Sequence, residues 1–98
     1  MSLRQLEPWL QPYAEALVSY LGGRVTITSV YRSPSAQLYL WNNRHRNPYP
    51  VAPPGTSKHE LRRAWDMVGP PEVLRWAGQV WRSWGGRWFD SDPIHFEA

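Results

Sequence analysis

Apolar residues recur at three- and four-residue spacing over residues 8–21, where Trp9, Leu10, Tyr13, Ala14, Leu17 and Leu21 make one face of a helix. Gly22-Gly23 ends it, because glycine accepts the left-handed conformation at a helix C-terminus. Arg24 to Val30 is β-branched and suits a strand. Ser33-Pro34-Ser35 breaks that strand and opens a second helix through Gln37 and Trp41. Residues 43–57 hold Pro48, Pro50, Pro53, Pro54 and Gly55 and read as a long irregular connection, of a length that is usually functional or disordered. Ala64 to Val68 is a short strand. Residues 71–84 form the clearest helix, with Pro71 in the first turn and a stripe of Val73, Trp76, Ala77, Val80, Trp81 and Trp84 expected in the core. Two short strands follow, Arg87 to Asp90 and Ile94 to Glu97. The order predicts an α+β domain in which a small antiparallel sheet packs with three helices.

At 98 residues, residues 1–98 are expected to form a single domain. A chain this size buries a modest share of its surface, so a bound metal would matter to folding as well as chemistry. Seven Trp, five Tyr and two Phe enlarge the apolar area available for burial. The absence of cysteine excludes disulfides and thiolate metal sites. The net charge of +3 comes from Arg scattered along the chain, without a basic run or a zinc-finger or helix-turn-helix spacing, so no nucleic-acid partner is expected. No segment is apolar enough to span a membrane or to serve as a signal peptide.

The chemistry concentrates near the C-terminus. His59 and Asp66 lie in Ser57-Lys58-His59-Glu60-Leu61-Arg62-Arg63-Ala64-Trp65-Asp66, and His95 in Asp92-Pro93-Ile94-His95-Phe96-Glu97. Two imidazoles and one carboxylate form a three-ligand set that leaves a fourth zinc position open, as catalytic rather than structural zinc sites do. His-x6-Asp is by itself a common spacing, so the neighbouring motifs decide its weight. His45, between Arg44 and Arg46, reads as solvated and not as a ligand. Trp41 and Trp88 lie near the motifs and are candidates for lining a cleft.

Those motifs occur in order: Ser29-Val30-Tyr31-Arg32-Ser33, Gln37, Pro54-Gly55-Thr56-Ser57-Lys58-His59, Ala64-Trp65-Asp66 and Asp92-Pro93-Ile94-His95-Phe96-Glu97. From about Val25 to the C-terminus the chain closely resembles the M15 family of zinc peptidases, which includes D-Ala-D-Ala carboxypeptidases and dipeptidases and phage L-alanyl-D-glutamate endopeptidases. The resemblance implies the hedgehog/DD-peptidase-like fold and one Zn2+ held by His59, Asp66 and His95. It implies Asp92 as general base and Arg32 beside the scissile carbonyl. Ser57, Tyr31 and Gln37 become substrate-binding candidates, and Glu97 an oxygen partner for a metal-bound imidazole. Many carboxypeptidase relatives carry Glu where Asp92 stands, whereas several phage-type endopeptidases carry Asp. The family commonly has Gly at the position of Arg62, so a side chain there must point outward or change the turn.

The resemblance implies a zinc metallopeptidase, a peptidoglycan hydrolase acting on stem peptides, with an L-Ala-D-Glu endopeptidase ahead of a D-Ala-D-Ala carboxypeptidase. A catalytically inactive cell-wall-binding module is the alternative from another class. The chain is expected to be a monomer made in the cytoplasm, reaching the wall by phage-assisted release or as a virion component.

Overall fold

The computed structural model describes residues 2–98. Helix α1 covers Gln11–Leu21, starting later than the periodicity implies, because Trp9 and Leu10 belong to a lead-in turn in which the Leu10 N–H donates to the Glu7 carbonyl at 2.9 Å. Its inward face is Leu10, Ala14, Leu17 and Leu21, while Trp9 and Tyr13 stay exposed. Helix α2 covers Pro34–Asn42; Ser33 caps it by accepting the Ala36 N–H at 3.2 Å, and Pro34 supplies a first-turn residue that has no N–H to orphan. Helix α3 covers Pro71–Ser83. Among the described residues, no helix is long and apolar enough to cross a membrane.

Strands β1 (Thr26–Ser29), β2 (Ala64–Val68) and β3 (His95–Glu97) form one antiparallel sheet in the order β1-β2-β3. The fold class is therefore the expected one, α+β with three helices and a small antiparallel sheet. The segment Arg87 to Asp90 is not the predicted strand: Arg87 alone bridges to Glu97. The chain leaves the sheet there because Trp88 turns into the core and the Asp92 N–H closes a turn on the Phe89 carbonyl at 3.0 Å.

One face of the sheet meets the helices. Trp65 and Met67 of β2 and Phe96 of β3 are fully buried, with Trp65 stacked on Phe96 at 5.3 Å and edge-on to Trp81 of α3 at 4.9 Å. The buried face of α3 is Leu74, Ala77, Gly78 and Trp81, rotated from the expected stripe. Trp76 and Trp84 are 43% and 48% exposed, so of the three tryptophans in the expected stripe only Trp81 is core. The small pair Ala77-Gly78 explains the rotation. A Cβ on Gly78 would stand 2.1 Å from the Trp88 ring, so the bare backbone is the notch that admits that indole.

Candidate metal centre

The opposite sheet face carries the polar chemistry. Side chains alternate along a strand, so with Trp65 and Met67 inward Asp66 must point the other way. Asp66 faces His95 across the β2–β3 ladder and Ser29 across the β1–β2 ladder, which sets the three in one row. An irregularity in β1 between Ile27 and Ser29 adds one residue to that strand and aims Ser29 at the row.

His59 arrives from a turn rather than a strand. Its N–H donates to Ser57 Oγ at 3.2 Å, and its carbonyl accepts from Arg32 and Arg62, both at 3.3 Å. Arg62, where the resemblance leads to an expected Gly, keeps the turn by adopting φ 59° and sending its guanidinium outward over the Tyr31 ring, 4.0 Å away.

The ligand atoms of His59, Asp66 and His95 all lie within 4.8 Å of one another. Each imidazole has its outer nitrogen committed: His59 Nδ1–H donates to the Val30 carbonyl at 2.6 Å, and His95 Nε2–H donates to Glu97 Oε1 at 2.8 Å. The inner nitrogens, His59 Nε2 and His95 Nδ1, each stand 3.1 Å from Asp66 Oδ1. On neutral rings these nitrogens present lone pairs to a carboxylate oxygen, an arrangement that requires a cation, whether protons or a metal. The 3.1 Å spacings also match the edge of a zinc coordination tetrahedron, about 3.3 Å for bonds of roughly 2.0–2.1 Å. The donor set therefore fits zinc, with His59 Nε2, Asp66 and His95 Nδ1 as ligands and an oxygen partner behind each imidazole, as metal-bound histidines usually have.

Without a metal the same groups polarise one another. Burial pushes the Asp66 carboxyl up, but hydrogen bonds from His59 and His95 outweigh it and hold the group well below the usual carboxylate range. Burial pulls His95 down, and the Asp66 bond and charge together with the Glu97 bond lift it above its ordinary value. Asp92 is raised, chiefly by burial, with the His95 and His59 charges opposing and Asp66 and Glu97 adding to the rise.

A cavity of about 400 Å³ opens over the row, lined by Arg32, Ser57, His59, Asp66, Asp92 and His95 and walled by Tyr49, Val51 and Phe89. The Asp92 loop is held from both sides. Its carbonyl accepts the His95 N–H at 3.1 Å, and the buried Trp88 indole N–H donates to the Pro93 carbonyl at 2.9 Å. Arg32 reaches in from the end of β1, with Nη1 donating to Gln37 Oε1 at 2.8 Å and Nη2 to Ser29 Oγ at 2.9 Å and Asp66 Oδ2 at 3.5 Å.

The other candidates separate. Ser57 lines the cavity, and its Oγ accepts the His59 N–H within the turn. Gln37 is 1% exposed, and its amide is occupied at both ends, accepting from Arg32 and donating to the Ala52 carbonyl at 2.7 Å. It braces Arg32 and the loop wall, which leaves it little to offer a substrate. Tyr31 does not line the cavity and packs against Arg62. Glu97 stands where expected, on His95. Neither tryptophan proposed for the cleft lines it: Trp88 is core, and Trp41 lies under Arg44. The exposed aromatics at the rim are Tyr49 and Phe89. His45 lies outside the ligand cluster. The Val30 carbonyl, which orients His59, carries no side-chain signal, and only strand geometry reveals it.

No protein-family model and no curated protein matches the sequence. Solved structures do match the fold. A VanY D,D-pentapeptidase variant from a VanB-type vancomycin-resistance cassette, solved with Zn(II), superposes with a TM-score of 0.70 at 20% identity, over 94% of this chain and 71% of that one. The fold is that of the D,D-peptidases. The vancomycin-resistance D,D-dipeptidase VanXYg, solved with a D-Ala-D-Ala phosphinate analogue, gives 0.75 at 14% identity, and the LD-carboxypeptidase LdcB gives 0.73 at 17%. This chain spans 49% of VanXYg and 64% of LdcB, so both are considerably longer.

Proposed function

We propose that the protein is a zinc-dependent peptidase that hydrolyses peptidoglycan stem peptides, cutting the L-Ala-D-Glu bond. The observation that carries this reading is the convergence of two imidazole lone pairs on the Asp66 carboxylate, in a cavity that also holds the raised carboxyl of Asp92. Zinc held by His59, Asp66 and His95 would supply Lewis-acid polarisation and water activation near neutral pH. Asp92, which lines the same cavity, takes the proton of the attacking water and passes it to the leaving amine. Arg32, fixed by Gln37 and Ser29, sets positive charge beside the reacting centre, where it opposes the negative charge growing on the scissile carbonyl oxygen. Glu97 and the Val30 carbonyl keep each imidazole in the tautomer that turns its lone pair inward.

The choice of bond rests on Asp92 in the Asp-x-x-His-Phe-Glu ending. The names of the solved neighbours, a D,D-pentapeptidase, a D,D-dipeptidase and an LD-carboxypeptidase, favour a second reading, release of a terminal D-Ala. Muropeptide digestion followed by mass spectrometry, with and without chelator, separates the two. Fragments cut after L-Ala support the endopeptidase, whereas free D-Ala replaces it with the carboxypeptidase. Asp92→Ala should abolish the cut and leave wall binding intact. A protein that binds wall and zinc yet cuts nothing under any condition is a binding module.

A further inference from the structure

Arg62 is the one non-glycine among the described residues in the left-handed region, at φ 59°, and it sits in the turn between His59 and Asp66. A side chain there is disfavoured because Cβ crowds the following carbonyl. Strain of this kind persists only where the surroundings over-determine it. Here they do. The Arg62 N–H donates to the His59 carbonyl at 3.3 Å, and the Arg62 carbonyl accepts the Glu7 N–H at 2.8 Å. Its Nη1 donates to the Gln5 carbonyl at 3.2 Å, and its guanidinium lies 4.0 Å from the centre of the Tyr31 ring.

These contacts join three pieces of chain. Gln5 and Glu7 belong to an N-terminal segment anchored in the core by Leu3, Leu6 and Leu10. Tyr31 stands between Val30, whose carbonyl takes the His59 Nδ1–H, and Arg32, whose N–H donates to the His59 carbonyl. Main-chain bonds on both sides of Tyr31 therefore fix the His59 ring and turn, and the Arg62 guanidinium clamps that stretch to the N-terminal segment.

We infer that Arg62 is a positioning residue, which couples the N-terminal segment and the Tyr31 stretch to the orientation of His59 and so to metal affinity. This rests on reading His59, Asp66 and His95 as a metal centre. Arg62→Gly removes the guanidinium contacts and the backbone strain together, because glycine takes φ 59° freely; relief of strain favours the turn, so a loss of zinc affinity belongs to the lost contacts. An exposed cation–π contact and a hydrogen bond on the orienting shell together lead us to expect zinc binding about five-fold weaker in Arg62→Gly. Coupling is reciprocal, so zinc should slow hydrogen exchange at the Glu7 amide of the parent, and slow it less in the variant, which keeps the main-chain bond from Glu7 to residue 62 but lacks the guanidinium clamp.

The experiment is a competition titration of zinc against a chromophoric chelator for the full-length parent, Arg62→Gly and Arg62→Lys, with Glu7 exchange measured with and without zinc. Arg62→Lys keeps the charge without the planar stacking fork and should fall between the other two, which provides a second reading if Arg62→Gly folds poorly. A parent that binds zinc and variants that bind it equally well would overturn the coupling while leaving the metal centre standing. A folded parent that binds no zinc would remove both.

Discussion

Strands β2 and β3 expose two different chemistries on their two faces, one residue apart. Trp65, Met67 and Phe96 face the helices and are fully buried, with Trp65 stacked on Phe96. Asp66, His95 and Glu97 face the cavity and are bonded to one another. The first face holds the domain together by burial, which depends on volume and not on charge. The second gathers like-natured acceptor atoms that only a cation reconciles. The ligand set is thus placed by the core: the register that stacks Trp65 on Phe96 also sets Asp66 opposite His95. A one-residue slip would send the ligands inward and the aromatics out.

Substitutions on the two faces should separate stability from function. The largest effect is expected at Trp65→Ala, which removes a fully buried indole and should cost about 3–5 kcal/mol, a large share of a small domain's total. Thermal or denaturant unfolding measures it. One residue away, Asp66→Ala should leave a folded protein that no longer binds zinc or cuts substrate. A retained zinc site in that variant would break the contrast between the faces.

Gly78→Ala lies between these cases, since the added Cβ meets the Trp88 ring that supports the Asp92 loop. Overpacking of this kind costs roughly 1–3 kcal/mol. Turnover should fall further than the small volume change suggests, because Trp88 anchors Pro93 next to the proposed base; stability and kcat measured on one preparation show whether the two losses travel together. Glu97→Gln should weaken zinc about ten-fold with little change in melting temperature, which a zinc competition titration reads.

The smallest effects are in pH. In metal-free protein, the depressed value of Asp66 contributes stability above its ordinary 3.8 that is lost as the pH falls. The raised value of His95 contributes stability below its ordinary 6.5 that is lost as the pH rises through its higher folded value. The pair is therefore strongest between about pH 4 and 6.5, and melting temperatures across that range should reflect it. Zinc competes with those protons, so its affinity should climb with pH over the same interval. In metal-free protein burial raises the Asp92 carboxyl above its ordinary value, and the charge of bound zinc should draw it back down, so its titration followed by NMR should move to lower pH once zinc is added.

Much of the fold was legible in the sequence because periodicity and punctuation agreed. Strand β2 runs over Ala64–Val68 as expected, and the Ser33-Pro34 start of α2 is a capped first turn. What failed were readings of which side a residue faces. Trp76 and Trp84 fit an apolar stripe, but the notch at Gly78 turned α3 toward Leu74 and Trp81, a consequence of a partner that sits ten residues later in the chain. Trp88 was expected in the cleft because it lies near the motifs, yet the same notch takes it into the core. In the site, motif order singled out His59, Asp66, His95 and Glu97, and the structure brings these side chains together. Gln37 shared that order but turns out to be a buried brace. The Val30 carbonyl was invisible, since any residue provides one.

The most direct test is zinc titration of the metal-free protein by calorimetry, with circular dichroism on the same sample and on His95→Ala. One equivalent of zinc bound by the parent, and none by a variant with an unchanged spectrum, is the result expected of three ligands set by one sheet register. A folded parent that takes up no zinc, or a His95→Ala variant that binds it undiminished, would contradict the metal centre on which the proposed function stands.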